Sequence, residues 1–387
     1  MMTVSGRHSL CCFLFFIVLF ILTRQVPFSS YSFISNIAII ILLLLLLINS
    51  NRNSIVSISY ISLWLSVLFI YSLFSGNEAT LIIHFMIAII LLLSSNFAQN
   101  IPKIFLQIFF ILITLQSLFL IFMELVLNIF YTPSSYLILR EIFIDKGWGD
   151  LYTYNGYFYR VQVKGNALIP FAFFLTFIKE VKFSLKYNKF HRFIAFAGIC
   201  IAGNFAFWIS TFIFLVGYSI FFGKNRILNA IIVLITVILA AGYIFHYVTD
   251  VLSRKVDSLG TRGDQFFVLI SGLTDNINHF IFGNGLGSTL SVRTSFRDYT
   301  GDIYFELQGV YYIYQLGILN SLIFFGLMFY LAFKKIFYKD LLFIYVVYLS
   351  YAISNPYFLD TNHIVLIIVL RLIYEYRKEN RMYNSSI

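Results

Sequence analysis

The sequence predicts an all-α polytopic integral membrane protein with about twelve transmembrane helices, and three observations predict it. Of 387 residues, 60% are hydrophobic and only 11% are charged, against roughly 45–50% and about 25% in an ordinary soluble domain. The apolar residues fall in long runs bounded by polar clusters. The Lys and Arg residues sort to one side of those runs. Aromatic residues alone make up 20% of the chain, and a soluble fold could not hide so much apolar surface, so a cytosolic enzyme is excluded. Disorder is excluded too, because it needs low hydrophobicity and high charge.

A helix that crosses the roughly 30 Å hydrocarbon layer needs about 20 apolar residues, fewer where the bilayer thins. Spans are expected over 10–23, 31–48, 55–74, 79–95, 104–130, 166–178, 192–203, 205–222, 227–245, 309–333, 341–354 and 361–374. The first, Leu10 to Leu22 after Arg7 and His8, has the length of a signal-peptide core. No small-x-small cleavage site follows in Thr23-Arg24-Gln25-Val26-Pro27, so an uncleaved helix is expected. The runs 192–203 and 205–222 are parted only by Gly203-Asn204, and one bent helix there would invert everything downstream.

Charge favours the split. With both termini cytoplasmic, the inner segments hold 17 Lys and Arg against four acids, and the outer segments hold 10 against 12. Such an excess of Lys and Arg in short loops marks the inner side of a membrane protein. The net charge of +10 therefore reads as topology and not as nucleic-acid binding. Five prolines, no low-complexity tract and no internal repeat leave residues 1–387 as a single membrane-embedded domain. Cys11, Cys12 and Cys200 all lie in apolar runs, so no disulfide framework and no CxxC metal site is expected.

Two outer loops stand out, approximately 131–165 and 246–308, and the chemistry is expected there. The first ends in Tyr159-Arg160-Val161-Gln162-Val163-Lys164 before a span containing Pro170. Arg160 offers a fork of donors that matches phosphate oxygens, and Lys164 adds a point charge. The alternative is that Arg160 snorkels to anchor a helix at the interface. In the second loop Arg254 and Lys255 precede Thr261-Arg262-Gly263-Asp264, a capping-box pattern that predicts a helix start. Phe266, Leu269, Ile270, Leu273, Ile277, Phe280 and Ile281 then recur at helical spacing, with Gln265, Asp275, Asn276 and Asn278 on the other face. That pattern predicts a helix in the interface plane, with Arg262 held at its start.

Phe282-Gly283-Asn284-Gly285-Leu286-Gly287-Ser288 follows. Alternate glycines can let backbone N–H groups converge on an anion, and a plain flexible loop is the alternative. The spacing is not that of a dinucleotide fingerprint. Last comes Glu306 at the mouth of the span near Gly309. A partly desolvated carboxylate there can accept a proton from a sugar hydroxyl; a helix N-terminal acid favoured by the dipole is the other reading. His84, His246 and His279 have no ligand spacing, so no metal is expected.

In this order the pieces resemble the bacterial O-antigen polymerase (Wzy-type) family, within the superfamily that also holds the O-antigen ligases. The pattern is a basic outer loop before a span (Arg160 to Pro170), then Arg262 before an amphipathic helix, then Phe282 to Gly287. It closes with Glu306, eleven residues before Gly317-Ile318. The motifs cover about 160–320, and the likeness in topology covers the whole chain. Ligases of the superfamily tend to carry His where this chain has Glu306, which argues toward polymerase.

The resemblance implies a GT-C-like, inverting glycosyltransferase of the bacterial inner membrane, acting at the periplasmic face without a cofactor. Its substrates would be undecaprenyl-diphosphate-linked oligosaccharide repeat units within membrane lipid. A chain-length-regulating protein is the partner the resemblance adds. Arg160 and Arg262, with Lys164, Arg254 and the backbone at Gly283, Gly285 and Gly287, would bind the lipid diphosphate, and Glu306 would act as base or orient the acceptor. A lipid-oligosaccharide flippase, or another transporter, is the rival of a different class. Carriers tend to place ionisable residues or broken helices near the midplane; here Glu124 is the only acid deep in an expected span, and the basic residues cluster in loops instead.

Overall fold

The computed structural model describes residues 4–23, 29–48, 52–132, 134–153, 158–232, 235, 256–295, 297–336 and 338–385. Among these, five helices are long and apolar enough to cross a membrane: Ser5–Thr23, Val56–Phe74, Ile104–Phe130, Phe205–Phe222 and Gln308–Lys335. The chain is thus a helical membrane protein. Shorter apolar helices occupy Ser32–Leu47 and Ala79–Ser95. Three further expected spans appear as helices Leu168–Leu175, Asn188–Ala202 and Lys339–Ala352, and a fourth opens the helix Thr361–Ser385. The run expected over 227–245 lies mostly outside the described residues.

The division at Gly203-Asn204 is present. Gly203 ends one helix in the left-handed conformation (φ 59°), and the Asn204 side chain accepts from Ala206 N to start the next. These are the C-terminal glycine and N-terminal asparagine caps that close and open helices.

Two helical segments form the middle of the bundle: Leu168–Leu175 is apolar all round, and 362–373 is apolar apart from Asn362, His363 and Arg371. From Asn362 to Ile373 every residue of Thr361–Ser385 is buried, and so is every residue of Leu168–Leu175. Arg52–Phe74 lies at the periphery, with Tyr60, Leu63, Val67 and Phe74 exposed. A soluble monomer rarely shows a contiguous apolar patch of more than a few hundred Å², and here exposed Phe, Ile and Leu side chains run along most of the outer helices. Hydrocarbon covers such a surface without penalty.

Polar contacts group the connecting segments at two ends. At one, Asn77 donates to Asn284 O and Leu286 O, Asn204 to Asn355, and Tyr351 to Ala167 O. At the other, Arg371 donates to Ala98 O and Lys335 O, and Lys103 pairs with Glu379. There Arg377 grips both oxygens of Glu180 and both of Asp340 at 2.7–2.9 Å, with its guanidinium 4.5 Å from the Tyr338 ring centre.

An antiparallel hairpin departs from the all-α expectation: β1 (Asp150–Thr153) pairs with β2 (Tyr159–Gln162), setting Tyr152 opposite Arg160. Glu124, the one acid within an expected span, receives the Tyr159 N–H at 3.1 Å and the Asn128 amide at 2.8 Å. It anchors β2 to the helix Ile104–Phe130.

Candidate functional site

The basic end of the first loop is built on that hairpin. Arg160 is only 5% exposed, so the expectation of a side chain open to headgroups, or snorkelling at the interface, is corrected. Its guanidinium stacks 4.5 Å from the Tyr152 ring centre. Its stem lies on Gly203, where any Cβ would stand 2.4 Å from Arg160 Cγ. The αL glycine that ends one helix is thus also the floor under the arginine. Lys164 remains exposed at the start of a 3₁₀ turn, Lys164–Ala167. Asn166 fixes that turn by donating to Val161 O at 2.8 Å while accepting from Gln116 at 3.0 Å.

In the second loop the structure brings Arg262 and Glu306 together across 44 residues, Nε to Oε2 at 2.7 Å. Each is about a third exposed. That contact engages Nε of Arg262, so the carboxylate holds the side chain from one edge. Asp264 accepts from Thr294 at 2.6 Å and Asp302 from Arg297 at 2.7 Å, which closes the loop into a compact cover. Arg254 lies outside the described residues.

Three expectations for this loop are corrected. The helix does not start at Thr261: it runs Val256–Thr274, so Thr261 and Asp264 are interior positions and Asp264 serves Thr294 instead of a cap. The amphipathic run is also not one helix. It breaks at Asp275-Asn276, where Asn276 caps Ile277–Phe282, and Gln265 of the supposed polar face is fully buried against Leu307 N.

The glycine motif, lastly, is no anion cradle. Gly283 N donates to His279 O, Asn284 N to Tyr314 O, Gly285 N to Gln315 O, Leu286 N to Ser72 and Gly287 N to the Gln315 side chain. Every N–H that was to face an anion is used inside the protein. The acceptors exist because Gln308–Lys335 is broken at Gly317 (φ 66°, ψ 178°), which frees the carbonyls of Tyr314 and Gln315 from helical bonding. The Gly283 and Gly317 backbones touch, and a Cβ on Gly317 would stand 2.2 Å from Gly283 N.

Sequence reasoning missed the loop 353–360, which joins these parts. Gln308, two residues after Glu306, accepts from Phe358 N at 3.0 Å, and Gly309 N donates to Ile353 O at 3.2 Å. Asn355 accepts from Asn204, beside the glycine under Arg160. The Tyr357 hydroxyl is within electrostatic reach of Arg160, Tyr152, Tyr304 and Asp360. Tyr304 in turn senses Glu306, and Asp360 senses Lys164. Arg160, Lys164, Arg262 and both carboxylates thus share one end of the bundle. An Asp directly before an apolar run is a helix-start signal, and Asp360-Thr361 carries it.

No protein-family model, curated protein or solved structure matches the chain.

Proposed function

We propose that this protein is a membrane glycosyltransferase of the O-antigen polymerase type. In this reading it spans the bacterial inner membrane about twelve times, with both termini in the cytoplasm and the gathered loops in the periplasm. It joins undecaprenyl-diphosphate-linked repeat units by inverting transfer. The observation that carries the reading is the Arg262–Glu306 pair, seated at the end of the bundle that also holds Lys164, Arg160 and the 353–360 loop. The grouping of connections into two ends supports the alternation that charge predicts.

Transfer needs a neutralised leaving group. Arg262, oriented by Glu306, and the exposed Lys164 are the cations open to phosphate oxygens, and buried Arg160 adds charge behind them. A hydrogen bond to a charged group is worth about 1.5–3 kcal/mol, and more where water is excluded. The acceptor hydroxyl attacks the anomeric carbon from the opposite face, the bond to the diphosphate oxygen breaks, and the diphosphate leaves with the electron pair.

A carrier is the second reading, and the broken helix at Gly317 is the observation that favours it. In carriers, however, such breaks line the substrate path, whereas here the freed carbonyls are filled by Asn284 N and Gly285 N. Deleting the gene separates the readings. Lipopolysaccharide core capped with a single repeat unit is the result expected of a polymerase, and loss of all O-antigen, including the single unit, overturns it in favour of flippase or ligase.

A further inference from the structure

The Arg262 contact leaves open which group takes the acceptor's proton. Glu306 is engaged with the guanidinium, yet a second carboxylate stands at the same end. Asp360 precedes the central helix Thr361–Ser385; its Oδ1 accepts from His363 N at 3.1 Å and its Oδ2 from the Asn362 amide at 2.6 Å. The Asn362 N–H also approaches the carboxylate, and since a carboxylate offers about four acceptor positions, one remains beyond these bonds. Beside it, Asn362 is 1% exposed, and among the described residues its Oδ1 has no hydrogen-bond partner. Two acceptors side by side, one an unsatisfied amide oxygen, suit an incoming hydroxyl. Lys164 nearby disfavours a metal cation there.

Resting on the glycosyl-transfer reading, we propose that Asp360 is the catalytic base of this site, with Asn362 Oδ1 orienting the acceptor sugar. The acceptor O–H proton passes to the Asp360 carboxylate as its oxygen bonds to the anomeric carbon. The donor's diphosphate departs with the electrons of the broken C–O bond toward Arg262 and Lys164. Asp360 then returns its proton to water.

The surroundings fit a group that exchanges protons near neutrality. The groups facing Asp360 are Lys164 on the 3₁₀ turn, Tyr357 in its own loop, Tyr312 on Gln308–Lys335, Tyr348 and Tyr351 on Lys339–Ala352, and His363 on its own helix. Enclosure by protein pushes the Asp360 carboxyl up to about 7, against the lowering effect of Asn362, the His363 N–H and Lys164.

The test uses the whole protein in lipid nanodiscs, with lipid-diphosphate-linked repeat units extracted from the deletion strain as both donor and acceptor, from pH 5.5 to 8.5. Asp360→Asn keeps an N-cap acceptor for His363 N, since Asn caps as well as Asp, and gives up the bond from the Asn362 amide; a melting curve of the variant checks that it is folded. Expected is a wild-type rate that rises through about pH 7, and in Asp360→Asn a loss of roughly 10²–10⁴-fold with a flat profile. Asp360→Glu should restore part of both. A wild-type rate and slope in Asp360→Asn, with Arg262→Ala inactive, overturns the base and leaves the transferase reading standing. No polymer from the wild-type protein overturns that reading itself.

Discussion

Replacing Gly317 by Ala should loosen the end of the bundle that carries the site. Two effects add. At φ 66° and ψ 178° the residue lies in a region open essentially to glycine, and an L side chain there costs of order 1–3 kcal/mol. The new Cβ would also stand 2.2 Å from Gly283 N and 2.5 Å from Phe282 C, backbone atoms that cannot swing aside. Parting the two chains sacrifices Asn284 N to Tyr314 O and Gly285 N to Gln315 O, each worth about 0.5–1.5 kcal/mol net. The sum is roughly 2–6 kcal/mol, set against a typical total of about 5–15 kcal/mol. Gly326 is the control: it lies in the same helix, and a Cβ there meets no atom within 4 Å, so Gly326→Ala should hold or gain up to about 1 kcal/mol. The assay is the thermal midpoint of the detergent-solubilised protein, followed by size exclusion. If both variants melt with the wild type, the Gly283–Gly317 contact is not what holds the glycine loop, and the reasoning fails.

Arg262→Ala should abolish long chains while the thermal midpoint stays near wild type, because an ion pair this exposed contributes only about 0.2–1 kcal/mol. Arg160→Ala should lower both chain length and midpoint, since it also empties the space between Tyr152 and Gly203; lipopolysaccharide gels and melting curves read the two effects separately. Glu306→Gln should shorten chains less than Arg262→Ala, as the amide oxygen can still accept from Arg262 Nε, and complemented deletion strains report the order. At the opposite end, Arg377→Ala removes the shared cation that grips Glu180 and Asp340, each less than a fifth exposed, and should cost about 3–5 kcal/mol, measured as a fall in melting temperature. For pH, a carboxyl held above its ordinary value stabilises the fold at acid pH, and that contribution is lost as pH rises through the native value. The midpoint should therefore fall between pH 5 and 8 on account of Asp360, and Asp360→Asn should remove that part of the decline.

Much of the helical framework was legible because lipid-facing and core helices are both apolar, so hydropathy alone marks them. The break at Gly203-Asn204 was legible for a local reason, since a C-terminal glycine followed by a capping Asn needs no tertiary context. The second loop was harder. Thr261-x-x-Asp264 has the form of a capping box, yet the helix starts at least five residues earlier, and Asp264 is claimed by Thr294, thirty residues on. The glycines were noticed, but their partners were not: Tyr314 and Gln315 become acceptors only once Gly317 breaks its helix, an event no periodicity reveals. Glu124 stood out as an acid within a span, and its partner is a backbone N–H of a hairpin that composition could not place. The loop 353–360 passed unread because it is short and holds a single charge, Asp360. Its importance comes from what docks on it.

The central position of Thr361–Ser385 has a consequence for biogenesis. The helices it packs on, among them Ala79–Ser95 and Ile104–Phe130, all precede it in the chain. At about 5–20 residues per second they leave the ribosome roughly ten seconds to a minute before their shared core element exists. Until it arrives, the helices around it enclose a gap that only lipid or an insertion chaperone can fill, and neither Asp360 nor the Arg377 clamp is in place. The two ends of the molecule are therefore completed in a single late step, and a nascent chain stalled before that step would be membrane-inserted but open at its centre.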